Sequence, residues 1–354
     1  MNYPSLIIDS KKLKENVEVL MKICKKHGIN AGGVTKVFSG DIRLSEIFVQ
    51  GGVSFLADSR IENLITLEKF NLPKIMLRLP MISEAEKVVR YADISLNSEL
   101  STIKELSREG EKQNKVHDII LMVDLGDLRE GIFEETEIYE LITEIITLKG
   151  VRLIGLGTNL TCYGGVIPRR DNLRKLAEIK EKIEEEFEVQ IEILSGGNSS
   201  SLYLLETDDM PGEINQLRLG EALILGRETA FGHQITGTHN DVFELEAEII
   251  ELKSKPSIPI GEIGMDAFGR KPSFIDKGNR KRAICAIGKQ DIDVEDLFPK
   301  DENIAIIGQS SDHLIIDVTD SISMYKTGDI IKFGLNYGGI LKLMTSSYVS
   351  KNII

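Results

Sequence analysis

The polar residues able to do chemistry in this chain each follow a short apolar run. Lys36 stands after such a run at 31–35 and is the only lysine in a position of this kind. A lysine held near cations or apolar surface loses its proton and becomes a nucleophile able to form a Schiff base. Alone, such a lysine is more often a solvated ammonium or a phosphate counter-ion. The second feature is Ser195-Gly196-Gly197-Asn198-Ser199-Ser200-Ser201, a small-residue loop that opens a helical pattern. Its glycines let the backbone approach a ligand, and amides and hydroxyls aimed at one spot suit an anion. Gly220, in Arg218-Leu219-Gly220-Glu221, can add further amides. A well-capped helix start has the same composition. Lysine and loop together describe a phosphorylated carbonyl compound bound as an imine, either pyridoxal phosphate or a sugar phosphate.

The elements that position these residues follow from periodicity. Strand-type runs fall at 31–35, 53–57, 74–78, 92–96, 117–124, 151–157, 189–194 and 214–219. Helical patterns lie between them, at 61–70, 83–91, 99–113, 135–148 and 170–187. The first helix opens at Ser10, carries Leu13, Val17, Leu20, Met21 and Cys24 on one face, and stops at Gly28. Eight βα units in roughly 230 residues predict a (β/α)8 barrel, since a doubly wound sheet usually stops at fewer parallel strands. In such barrels the site lies at the C-terminal strand ends, with phosphate held after strands seven and eight. From about residue 235 the runs become β-type throughout, at 243–252, 282–287, 304–307, 314–318, 330–333 and 340–344, separated by Gly, Pro, Asp and Asn. The expected domains are a barrel at 10–232 and a mainly β domain at 233–354 that includes an N-terminal strand at 1–9. The stretch 256–279 is expected to be a long loop.

Composition narrows the partners. With 42% hydrophobic and 28% charged residues the 354-residue chain is an ordinary globular protein. A net charge of −13 without a basic block disfavours nucleic acid. No run of about 18 apolar residues suggests a membrane span. Cys24, Cys162 and Cys285 are scattered, so they predict reduced thiols in the cytoplasm rather than a disulfide framework or zinc site. Five histidines without ligand spacing leave no metal site expected. Gly155-Leu156-Gly157 lacks the third glycine of a dinucleotide motif, and Cys162 has the character of a small apolar filler.

Val34-Thr35-Lys36, the DxGxxRxG pattern of Asp124, Gly126, Arg129 and Gly131, then Thr158-Asn159, Asn198-Ser199 and Arg218-x-Gly220-x-Ala222 stand in one order and spacing. In these the chain resembles the fold type III pyridoxal-phosphate enzymes, and among them the alanine/ornithine racemase group, particularly its ornithine-acting side. The resemblance implies pyridoxal phosphate as cofactor, carried on Lys36, and racemisation of a free amino acid, ornithine first, by proton transfer on two faces. It implies Arg218 opposite the pyridine nitrogen and Arg129 beside the phenolic oxygen and substrate carboxylate. Asn159 would lie near the ring, and Asn198, Ser199, Gly220 and Glu221 on the phosphate. A homodimer with shared sites is expected.

The chain also departs from the group. Gly40 stands where alanine racemases carry a phosphate-binding Tyr, and Met122 where many carry a carbamylated lysine. The GYADG motif that supplies the second base has its best match in Gly288-Lys289-Gln290-Asp291, which makes Lys289 the candidate, with Asp291 and His313 beside it. A side-chain ammonium would want a carboxylate, and Asp266, Asp291 and Asp312 are candidates. The rival readings are a non-catalytic pyridoxal-phosphate carrier and a Schiff-base aldolase or lyase acting on a phosphorylated sugar.

Overall fold

The computed structural model describes residues 2–265, 268–269 and 271–354. It divides into two units, Lys11–Asn240 and the N-terminal segment to Ser10 with Asp241–Ile354. Strand β1 (Ser5–Ile8) belongs to the second. The first is a closed parallel barrel of β2 (Asn30–Val34), β3 (Leu56–Asp58), β4 (Lys74–Met76), β5 (Ile94–Asn97), β6 (His117–Met122), β7 (Val151–Gly157), β8 (Ile193–Ser195) and β9 (Gln216–Leu219). Each strand pairs with its successor in the chain, and β9 closes on β2. The expected (β/α)8 class is therefore the observed one. Val34, Phe55, Ala57, Ile75, Leu96, Ile120, Met122 and Ile154 are buried as one apolar cluster. Gly32 is required beside it, because a Cβ there would lie 1.9 Å from the Phe55 ring.

The helix Ser10–Lys26 buries Leu13, Val17, Leu20 and Cys24, the spacing of one helical face, and ends on Lys25 and Lys26. Asn16, on the same face, donates from Nδ2 to the carbonyls of Leu223 (3.2 Å) and His239 (2.8 Å) and accepts from His239 N (2.6 Å). That clasp ties the segment after the last barrel helix to the first one. The segment it holds, 226–240, belongs to the barrel unit, which runs on to Asn240.

The second unit is a sheet in the order β12-β15-β10-β11-β14-β13, built from β10 (Phe243–Pro256), β11 (Asn279–Cys285), β12 (Leu297–Pro299), β13 (Ala305–Gln309), β14 (Leu314–Asp317) and β15 (Ile330–Leu335). Those neighbours are antiparallel; β1 pairs antiparallel with β10 and parallel with β16 (Ser350–Ile353). The core is read off the pleat: Leu245, Ala247 and Ile249, then Ala283 and Cys285, Leu314 and Ile316, and Ile331 and Phe333 are buried at period two. β10 and β11 pair out to Pro256 and Asn279, so the ends of the stretch expected as a loop are strand. The expected strand at 340–344 is instead a helix, Tyr337–Thr345. Asn336 caps it by accepting from Gly339 N at 2.9 Å, and Ile340, Leu343 and Met344 are buried at helical spacing.

Candidate functional site

Lys36 is placed by strand register. β2 and β3 pair with Gly33 opposite Leu56 and Val34 opposite Ala57, so Thr35 and Asp58 are next in line. The Thr35 hydroxyl donates to Asp58 Oδ2 at 2.6 Å. The chain then turns once through Lys36–Phe38, and Ser39 and Gly40 follow at φ +53 and +64. Lys36 is thereby left at the barrel mouth, open to solvent yet ringed by protein. Burial lowers its pKa, Arg129 works in the same direction, and Cys162, Asp58 and Glu130 oppose them. Asp58 is fully buried, and burial raises its pKa against the hydrogen bonds it accepts from Thr35, Asn63 and Arg60 N.

Arg218 stands two residues beyond Gln216, which pairs with Ser195 across β8 and β9. Its guanidinium donates to Ser195 Oγ, to Thr158 O at 2.7 Å and to Asn159 Oδ1 at 2.9 Å, all neutral oxygens. Burial pushes its pKa down to about 10. Asn159 in turn donates to Glu130, and Glu130 pairs with Arg129, with Nη2 at 2.5 Å from Oε1 and Nε bound to Oε2. The loop carrying Arg129 is wound by Asp124, whose Oδ1 accepts from Gly126 N (2.8 Å) and Leu128 N (3.1 Å). Gly131 closes it at φ +127, where a Cβ would lie 2.6 Å from Asp124 N. Asp127 binds this loop to the next by accepting from Cys162 N (3.1 Å), Tyr163 N (2.8 Å) and Val166 N (3.0 Å). Burial alone would raise its pKa; those amides hold it below the usual carboxylate value.

The anion loop is formed by Asn198, which accepts from Ser200 N at 2.8 Å, and by Ser199, whose Oγ accepts from Gly220 N (3.3 Å) and Ala222 N (3.2 Å). With its lone pairs engaged, the Ser199 hydroxyl proton is available to donate. The side chain of Glu221 is taken by Arg227, at 2.7 Å and 3.0 Å. Asn198 Nδ2 reaches Leu160 O (3.0 Å) and Cys162 Sγ (3.4 Å). Cys162 is exposed and feels the charges of Lys36 and Arg129, so it lines the mouth rather than filling the interior. Met122 is fully buried in the barrel cluster.

All the candidates of the barrel thus lie on its strand ends and loops. Lys289, Asp291, Asp312 and His313 lie in the other unit, where the turns 288–291 and 310–313 pack together: Lys289 N donates to Ser310 O (2.9 Å) and Gln290 N to Ser311 O (3.0 Å). Lys289 Nζ sits 4.3 Å from the Phe268 ring centroid and 4.0 Å from Asp293. Asp291 is buried and accepts from Ser346 Oγ at 2.6 Å. Asp312 is exposed, beside His313 at 3.2 Å. Asp266 lies outside the described residues. Sequence reasoning gave Glu130 no role and did not pair Thr35 with Asp58; the one signal for Glu130 is an acid next to Arg129. Among the described residues no group of three His, Cys, Asp or Glu side chains could hold a metal.

A barrel with this mouth, joined in one chain to an antiparallel β unit, is the architecture of alanine racemases. The structure matches that of the Bartonella henselae alanine racemase, described with covalently bound pyridoxal phosphate, at a TM-score of 0.76 and 18% identity, covering 100% of both chains. The Clostridium difficile alanine racemase matches at 0.75 and 18%, covering 100% of this chain and 96% of that one. At that identity the likeness is one of fold. The chain belongs to the alanine racemase family: the family's N-terminal domain matches residues 8–228. It is 50% identical to the ornithine racemase of Acetoanaerobium sticklandii over 352 residues, 99% of this chain and 100% of that protein. It is 44% identical to the lysine racemase of Thermotoga maritima over 356 residues, 99% of this chain and 98% of that protein.

Proposed function

We propose that this chain is a pyridoxal-phosphate-dependent racemase of a free diamino acid, with ornithine as its substrate. The observation that carries the reading is the meeting of Lys36, the Ser199/Gly220 loop and Arg218 at one barrel mouth, in a chain half identical to an ornithine racemase along its whole length. The donor set suits the cofactor. Arg218 is a buried cation contacted by neutral oxygens, an arrangement that is costly unless a further acceptor is to be met there. Ser199, Gly220 and the amide of Glu221, with Asn198, would hold the phosphate. When bound, pyridoxal phosphate supplies the electron sink that acidifies an amino acid's α-proton.

Lys36 would hold the cofactor and move the α-proton at Nζ on one face, where burial favours the neutral amine needed to accept it. Arg218 would face the ring nitrogen as a donor that does not surrender its proton, a setting that would weaken the electron sink and favour proton exchange over transamination. Asn159 lies beside Arg218, and Arg129 orients the substrate carboxylate. Lys289, from the β unit of a second copy, is the proposed base on the opposite face, with Asp291 and His313 behind it. Asp312 is better placed than the buried Asp291 to meet a side-chain ammonium, because it is open to solvent; Asp266 is kept as a candidate. A homodimer in the cytoplasm is the proposed working unit, supported by the unpaired thiols and by apolar side chains left exposed on the β unit.

Each ornithine enantiomer, incubated with the cofactor-loaded protein and separated on a chiral column, should convert to the other. If ornithine stays unchanged while another amino acid inverts, the substrate is wrong and the class stands. Absence of a Lys36-dependent visible absorption band after reconstitution would reject the cofactor reading in favour of an aldolase.

A further inference from the structure

Successive side chains in a loop ordinarily diverge, yet Arg129 and Glu130 face one another. Leu128 in the left-handed region at φ +55 and Gly131 at φ +127 bracket the pair. Glu130 is mostly sheltered, with 16% of its side chain exposed against 41% for Arg129. Both oxygens engage Arg129, and Oε1 also accepts from Asn159 Nδ2. A carboxylate can only accept, so it compels the Asn159 amide to present its nitrogen to Glu130 and its oxygen to Arg218. The result is one chain of charge-assisted bonds, Arg129–Glu130–Asn159–Arg218, across two loops and a strand end.

The other carboxylates nearby are committed elsewhere. Asp127 is saturated by backbone amides and Asp58 is sealed under Thr35 and Asn63. Glu130 is the acid directly bonded among the mouth's cations. Resting on the function proposed above, we propose that Glu130 is a positioning residue: it aims Arg129 at the substrate carboxylate and fixes the Asn159 amide that braces Arg218. Removing its charge frees Arg129 to swing into solvent and lets Asn159 turn its amide over.

The test uses Glu130→Gln, which keeps the shape and an acceptor oxygen but not the charge. Loss of one charge-assisted bond should raise KM for ornithine roughly tenfold or more while kcat falls much less. In the cofactor-free protein, the titration midpoint of Lys36, followed by NMR of the reductively 13C-methylated amine, should move to lower pH, because Glu130 supports the ammonium. A purely structural residue would move thermal stability without that midpoint. Unchanged KM and an unchanged midpoint in a folded Glu130→Gln overturn the proposal. Should that variant fail to fold by circular dichroism, Glu130→Asp decides: it retains the charge but not the reach, so raised KM with a wild-type midpoint supports the role and wild-type KM overturns it. If the wild type inverts no amino acid, the functional reading fails, and the Lys36 midpoint alone then decides the coupling of Glu130 to the mouth.

Discussion

Lys36 combines two demands that pull against each other. In the proposed role it is neutral, acting as nucleophile and base, while Asp58 and Glu130 beside it favour the ammonium that burial and Arg129 disfavour. Burial is the largest influence lowering its pKa, so between that lowered value and the ordinary 10.5 the folded state binds fewer protons than the unfolded chain. The sign follows: the burden that Lys36 places on the fold is complete below its lowered folded-state pKa and is relieved as pH rises from there toward 10.5. In the cofactor-free protein, Lys36→Met should therefore melt above wild type at pH 7, with the gap closing near pH 10 to 11 by calorimetry. The same variant should show neither racemisation nor the cofactor's absorption band. A constant gap across pH would mean that the amine is solvated like any surface lysine.

Between elements, the pairing of β5 with β6 hides a second titration. His117 opens β6, is 3% exposed, and places Nε2 2.8 Å from the Ser95 hydroxyl, which also accepts from Asn97 Nδ2 at 2.9 Å. Burial pushes its pKa down from 6.5 to about 4. The unfolded chain thus takes up a proton that the folded barrel refuses between those values. Stability is unaffected above pH 6.5 and falls as pH drops toward 4, by about 3 kcal/mol from this group. His117→Gln, which can still bond Ser95, should be less stable than wild type at pH 7 and close that difference by pH 4.5 in urea titrations. Parallel acid limbs for the two proteins would rule out His117 as a source. Such a residue at the N-terminal end of a strand concerns stability, whereas its counterparts at the C-terminal ends concern chemistry. The helix at Tyr337–Thr345 carries the opposite lesson. Its segment Ile340-Leu341-Lys342-Leu343-Met344 is a short apolar run around one lysine, which periodicity alone cannot assign to strand or helix, and the Asn336 cap marks the helix start.

At the scale of the whole molecule, the β unit exposes Ile260 and Ile322 at 92%, Met324 at 88% and Ile275 at 78%. Apolar side chains this open suit a surface that meets a second copy. Sedimentation velocity should give twice the 39.5 kDa chain mass, and Ile322→Glu with Met324→Glu should shift the protein toward monomer and cost racemisation together. A fully active monomer would refute shared sites. Read alone, the sequence determined the barrel and the β unit and singled out Lys36 and the 195–201 loop as candidates. Period two, period 3.6 and the rule that strand ends carry chemistry are local and survive without knowledge of packing. Tertiary structure alone decided what those residues touch. Glu130 meets Asn159 from 29 positions away and Arg218 meets Asn159 from 59, contacts made only when the barrel closes. Hydrogen-bond partners are chosen by three-dimensional reach, and a linear pattern contains no distance between side chains that the ends of β7 and β9 bring together across β8.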